Sequence, residues 1–209
     1  MEKKDKELWH FFANEIIYLY PHKVQNTKWI AFMSFTKYEI IDNKIPDCHR
    51  EVIRFTKGYS ALGTNGLALL GTGNIYSFPE TLNLLTNAFT DCRKVDRMTL
   101  MDDSAFRGFY WSNFSTGLGT ILHELSHCFG MGHSKTGIMH RGGDDMNVAL
   151  SFTVDDFDCH FCRTKLVSLF SAFLLKLFHD NVNMRIKIEI LISGWSVKIR
   201  LIPPGFLFP

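Results

Sequence analysis

The sequence predicts an α+β fold in which strands precede a histidine-bearing helix. Three observations predict it. Local signals run helix, strands, helix and then the histidine-bearing helix, which is the order of an α+β chain. The 209 residues suit one domain with a small appendage, and 46% hydrophobic residues are ample for a sizeable core. Around residues 118–129 a helical wheel puts the apolar side chains in an arc of about 120° and polar ones opposite.

Taken in order, residues 6–20 have the spacing of an amphipathic helix, through Leu8, Phe11, Phe12, Glu15, Ile16 and Leu19, with Pro21 as its stop. Residues 28–41 read as a strand, because Trp29, Ala31, Met33 and Phe35 alternate with polar or smaller neighbours. Residues 42–47 are a polar turn with Pro46 near its end, and 52–55 a short second strand. Residues 66–78 are apolar, then broken by Gly71 and Gly73, then aromatic, which suits a strand with a bulge or a close backbone approach. The run Gly71-Thr72-Gly73 lacks the third glycine and the Lys-Ser/Thr of a phosphate loop, which excludes a nucleotide site there. Residues 79–89 predict a helix with Pro79 and Glu80 in its first turn, 91–103 a charged loop, and 107–113 a glycine- and aromatic-rich turn. Ser115 or Thr116 is the expected N-cap of the helix that follows. Beyond it, residues 164–180 read as a hydrophobic helix, and 184–192 and 195–202 as a hairpin around Ser193-Gly194.

The chemistry concentrates in residues 123–133, His-Glu-Leu-Ser-His-Cys-Phe-Gly-Met-Gly-His. His123 and His127 lie four apart, hence on one helix face about 40° apart, and Glu124 falls in the same arc of roughly 100°. Leu118, Ile121, Leu122, Leu125, Cys128 and Phe129 fill the opposite arc, so one face suits a core and the other a site. Gly130 can take the left-handed conformation that ends a helix and return His133 as a third ligand. Three neutral imidazoles with an open fourth position make a catalytic zinc arrangement, whereas structural zinc is closed by four protein ligands. The bland alternative is a helix with two surface histidines and a glycine cap. With nine His in the chain, the joint spacing arises by chance roughly once in ten thousand.

His123-Glu-x-x-His127-x-x-Gly130-x-x-His133, followed by Gly137-Ile138-Met139, resembles the metzincin zinc peptidases. The flanks at 102–122 and 136–145 narrow the resemblance to a eukaryotic group of zinc metallopeptidases, with similarity running from about residue 60 to residue 147. The resemblance implies a metzincin, zincin-like α+β fold, a mixed sheet with the active-site helix and a small C-terminal subdomain: an upper catalytic subdomain over 1–133 ending in the zinc helix, a lower subdomain over 134–180 with a Met-turn at Met139 and the C-terminal helix, and beyond it, over 181–209, the expected hairpin and an atypical tail. It implies one catalytic Zn2+ on His123, His127 and His133, with Glu124 as general acid/base for water activated at the metal. The expected activity is hydrolysis of peptide bonds in peptide or protein substrates by an endopeptidase. An archaemetzincin-like aminopeptidase, or a zinc-binding pseudo-peptidase serving as an interaction module, are the alternatives; the intact Glu124 speaks against the latter.

Metzincins hold an extended substrate on an antiparallel edge strand, and 66–78 is the candidate here. Where astacin-like enzymes place a Tyr two residues past the Met, this chain has Arg141, which either stabilises an oxyanion or is a solvated or ion-paired side chain. Asp144 and Asp145 either orient a ligand imidazole or cap a turn. Cys159 and Cys162 resemble half of the archaemetzincin four-cysteine site, but two thiols do not close one, and buried free thiols are the plainer reading.

A net charge of +2 gives no reason to expect nucleic acid or an anionic membrane as partner. The apolar run at 166–178 is too short to span a bilayer and contains Lys176. Five cysteines and a start of mixed charge predict a reducing, cytoplasmic setting, provided the chain begins at its native start.

Overall fold

The computed structural model describes residues 2–140 and 142–146 and four strand segments between 185 and 202. Element order is α1 (Glu2–Leu19), β1 (Trp29–Met33), β2 (Lys37–Tyr38), α2 (His49–Phe55), β3 (Thr56–Lys57), β4 (Ala61–Thr64), β5 (Leu67–Gly71), α3 (Leu85–Phe89), α4 (Tyr110–Cys128), β6 (Arg185–Ile188), β7 (Ile190–Ile192), β8 (Trp195–Ser196) and β9 (Ile199–Ile202). The main sheet runs β4-β5-β1-β7-β8. β1 is parallel to β5 and β7, while β4 is antiparallel to β5 and β8 to β7, so the sheet is mixed as the resemblance implies.

Period-two alternation sends side chains of β1 and β5 to two different cores. Trp29, Ala31, Met33, Leu67 and Leu69 face α1, where they pack with Trp9 and Ile16. The Trp9 indole donates to Leu67 O at 3.0 Å, satisfying its N–H inside that core. Ile30, Ala68 and Leu70 face the other way, against Leu125 and Cys128 of α4, with Phe32, Ala61 and Ile121 around them. A third cluster joins Leu122 and Phe114 of α4 to Ala88, Phe89 and Met146. Each fully buried side chain of this size contributes about 1.5–3 kcal/mol relative to exposure, and these contacts hold α4 in place.

Several expectations need correction. Residues 52–55 are helical, within α2. Glu51 accepts the Asp47 N–H at 3.1 Å and pairs with Lys44 at 2.8 Å, which starts a helix that puts Val52 and Phe55, three apart, on one buried face. The 28–41 strand is interrupted after Met33, where Thr36 Oγ1 donates to the Met33 carbonyl at 3.1 Å and turns the chain into β2. Residues 79–89 form only a 3₁₀ turn and the short α3. The 66–78 segment supplies β5, which is paired on both sides; the sheet edge beside α4 is β4. Neither Ser115 nor Thr116 caps α4. The helix starts at Tyr110, and the Ser112 hydroxyl takes the Phe109 N–H at 3.2 Å, while Ser115 and Thr116 are buried inside it.

Among the described strand segments, Leu191 lies opposite Ser196 and Arg185 opposite Ile202, while Ser193 and Gly194 lie outside the described residues. The 164–180 helix, Cys159, Cys162 and Arg141 lie outside the described residues. Among the described residues no helix is long and apolar enough to cross a membrane. Cys48 and Cys128 are free thiols.

Two backbone approaches fix α4. A Cβ on Gly63 of β4 would fall 1.9 Å from the Glu124 carbonyl oxygen, and one on Gly119 would fall 2.1 Å from that of Gly143. Alanine at Gly119 improves helix propensity by up to about 1 kcal/mol. The obstacle, though, is main chain with no flexible end to yield, so overpacking of about 1–3 kcal/mol or more should win. Gly63→Ala and Gly119→Ala are each expected to lower the urea unfolding midpoint; an unchanged midpoint in either variant would refute that close approach.

Candidate metal centre

Helix α4 ends by a Schellman turn built on the residues the sequence singles out. Gly130 has φ +81, its N–H donates to His127 O at 2.9 Å, and the Met131 N–H donates to Ser126 O at 3.2 Å. The turn carries the chain back so that His133 stands beside the two helical imidazoles. Ring centroids are 4.7 Å apart for His123 and His127, 5.3 Å for His123 and His133, and 4.8 Å for His127 and His133. One nitrogen from each ring can be chosen so that all three lie within 4.8 Å of one another.

The hydrogen bonds of these rings decide what the cluster can hold. His123 Nδ1 lies 2.6 Å from Ile138 O, and His127 Nδ1 lies 2.8 Å from Met131 O. A carbonyl only accepts, so each Nδ1 is placed to donate, and in the tautomer that satisfies both carbonyls each Nε2 presents a lone pair. Those two Nε2 atoms face each other at 3.1 Å. Two lone pairs cannot bond to each other, whereas a cation between them satisfies both. Tetrahedral zinc with Zn–N of about 2.0–2.1 Å needs nitrogens roughly 3.3 Å apart, so the donor set fits the ion.

Glu124 is buried, at 9% exposure, and its Oε2 accepts the Gly63 N–H at 2.6 Å from the open side of β4. Cys128 is no rival ligand. Burial pushes its thiol up to about 12, and it donates to Glu124 O at 3.3 Å.

Below the rings, Ser134 N donates to Met139 O at 3.0 Å and His140 N to Gly137 O at 3.0 Å, which closes the 134–140 turn with Met139 buried. Asp144 turns its main-chain carbonyl to Arg107 Nη2 at 2.6 Å and to Ser115 Oγ at 3.4 Å. Asp145 lies in the same 3₁₀ turn, Gly142–Asp145. The orienting contacts of His123 and His127 thus come from carbonyls of Ile138 and Met131, not from these carboxylates.

Sequence reasoning passes over three supports. Arg107 binds Ser104 O at 2.8 Å, Thr116 Oγ1 at 2.9 Å and Asp144 O, tying α4 to the turn below it. Gly63 and Gly119 admit the close approaches described above. An isolated arginine or glycine has no spacing signal, so only the assembled fold identifies them. A cavity of about 560 Å³ opens beside the site, with His123, Glu124 and His140 on one wall and His49, Asp103 and Asp144 on others.

Comparison with known proteins agrees with this geometry. Over 107 residues, 49% of this chain and 17% of its relative, the chain is 33% identical to a protein of Schizosaccharomyces pombe named a putative zinc metalloproteinase. A Saccharomyces cerevisiae protein of the same description is 32% identical over 98 residues, 45% of this chain and 14% of the relative. The chain thus matches only about one sixth of the length of these curated relatives. No solved structure matches it significantly. The family model described as "Putative peptidase family" (Metallopep) matches residues 1–172, and the chain belongs to that family.

Proposed function

We propose that this chain is a zinc-dependent peptidase of the metzincin type that cleaves internal peptide bonds. The observation that carries the reading is the pair of facing Nε2 atoms completed by His133, with a buried carboxylate on the same helix. His123, His127 and His133 are the residues that would hold the ion. Zinc there supplies Lewis acidity, activating water and polarising the scissile carbonyl.

The remaining work falls to the chain. With Oε2 held by Gly63, Oε1 of Glu124 is the atom to take the proton of the attacking water and return it to the leaving amine. Gly130 sets the turn that delivers His133, and Met139 forms the apolar floor of the turn beneath. Asp144 and Asp145 are the candidates to orient the third ring, that of His133. Arg141, two residues past Met139, is a candidate oxyanion contact. β4 offers an open antiparallel edge beside Glu124, the place where an extended peptide would pair.

Purified protein should contain one zinc, and a mixed peptide library with blocked N-termini should be cut by wild type. Glu124→Ala should keep the metal and lose at least about a hundredfold in kcat, the scale on which a general base acts. Metal retained with no Glu124-dependent cleavage would point to a zinc-holding interaction module instead, and cleavage confined to free N-termini to an aminopeptidase.

Removing zinc with a chelator should abolish cleavage and lower the melting temperature, since a ligand bound only to the folded chain stabilises it by mass action. His133→Ala should weaken zinc retention in competition with a chromogenic chelator. Equal retention by wild type and variant would remove His133 from the ligand set.

A further inference from the structure

The cavity beside the candidate metal centre has an acidic lining. Its described lining includes the carboxylates Asp102, Asp103, Asp144 and Glu124 but no lysine or arginine. Arg97 Nε stands behind the wall, 3.5 Å from Asp102 Oδ2, and Arg107 binds Thr116 Oγ1 and the Asp144 carbonyl, but neither guanidinium belongs to the lining. Apart from the ligand His123, the side chains of the lining able to carry positive charge are the imidazoles His49 and His140.

His49 is built for that task. Its Nδ1 lies 3.1 Å from Asp103 Oδ1, and the carboxylate side chain is only 11% exposed. Asp103 is itself fixed, since its N–H donates at 3.0 Å to Oδ1 of the fully buried Asn113, on the helix that carries His123 and Glu124. The bond to Asp103, then its charge and that of Asp144, raise the His49 pKa against the desolvation that lowers it. The Tyr59 ring stands edge-on at 6.5 Å. With Nδ1 committed to Asp103, Nε2 has no partner among the described residues, and the side chain is 60% exposed to the cavity and solvent.

We propose that His49, held by Asp103, is a catalytic residue of this site, whose protonated Nε2–H donates a hydrogen bond to the peptide oxygen as it gains negative charge. The proposal rests on the peptidase reading above. No bond to His49 forms or breaks: the imidazolium stabilises charge, while Glu124 handles the proton of the water.

The test uses zinc-loaded wild type, His49→Ala, His49→Gln, Asp103→Asn and Arg141→Ala on one peptide found by the library digest. Removing an oxyanion donor costs roughly a hundredfold to a thousandfold in kcat. His49→Ala should show such a loss with KM within about threefold and zinc content unchanged, and His49→Gln, which keeps an N–H donor, should recover part of it. The sign of the pH effect is fixed by the dyad. Asp103 favours protonated His49, the active form, so Asp103→Asn should move the alkaline limb of kcat/KM to lower pH. It should move the His49 imidazole titration, followed by NMR on the metal-free Glu124→Ala chain, in the same direction. Unchanged kcat in both His49 variants, loss of zinc alongside loss of activity, an unmoved alkaline limb and titration, or a loss reproduced only by Arg141→Ala would each overturn the proposal. A wild type without Glu124-dependent cleavage overturns the peptidase reading and this proposal together; cleavage by wild type with innocent His49 variants overturns this one alone.

Discussion

The site depends on one contact, where the edge strand β4 lies directly on the main chain of α4 at Glu124. Gly63 makes it in two ways: its missing side chain lets the strand approach the Glu124 carbonyl, and its N–H reaches the Glu124 carboxylate at 2.6 Å. The two effects reinforce each other. A carboxylate nine-tenths buried needs a hydrogen-bond donor to offset its lost hydration. A strand amide on an open sheet edge needs an acceptor. Each therefore satisfies the other, and the carboxylate is held in register with the sheet. Every other feature of the site is placed relative to α4, so the position of the helix on the sheet decides the geometry of the whole.

The imidazoles are held by a different device. Metal-binding histidines need their second nitrogen anchored, and carboxylates often serve. Here His123 and His127 rest on carbonyls from the Schellman turn and from the turn at 134–140. A carbonyl fixes the tautomer without adding a full charge. The turn that ends α4 therefore does three things with the same few atoms: it satisfies the helix carbonyls, returns His133 and orients His127. Negative charge is left to the cavity lining, in Asp102, Asp103, Asp144 and Glu124, while the Nδ1 contacts of His123 and His127 are to neutral carbonyls.

How much of this is legible in the sequence follows from what each feature depends on. α1, the β1 alternation and the helix carrying His123 and His127 depend on local periodicity, and these are read correctly; Gly130 stands at the end of that helix with φ +81. Residues 52–55 mislead because four residues of Val-Ile-Arg-Phe suit either period, and the deciding contacts come from Lys44 and Asp47 upstream. The N-cap misleads because Ser115 and Thr116 are chemically apt for it, yet are spent on Asp144 and Arg107 inside the helix. The edge-strand assignment fails for a more general reason. Residues 61–64 carry no strong pattern, whereas 67–71 are apolar because β5 is covered on both faces. Strength of pattern marks the middle of a sheet, and a site tends to use its edge.

The composition of α4 makes the same point energetically. A helix of 19 residues that buries Ser112, Asn113, Ser115 and Thr116 and carries glycines at 117 and 119 is poorly favoured by local propensity, each internal glycine costing about 0.5–1 kcal/mol against alanine. Each of these positions has a use in the fold, Gly117 admitting the Phe78 ring to 2.8 Å from where a Cβ would stand. Ser112 closes the first turn, Asn113 holds Asp103, Ser115 and Thr116 reach the 142–145 turn and Arg107, and Gly119 lets that turn touch the helix. The apolar arc of Leu122, Leu125 and Cys128 offsets the deficit, at about 1.5–3 kcal/mol for each large buried side chain. Local rules are thus broken over residues 112–119 and obeyed over 120–130, and the line between them falls just ahead of His123. The first half of α4 is shaped to carry the walls of the cavity, the second half to present the ligands, and a sequence with better helix formers at 112–119 would make a sounder helix with nothing built around it.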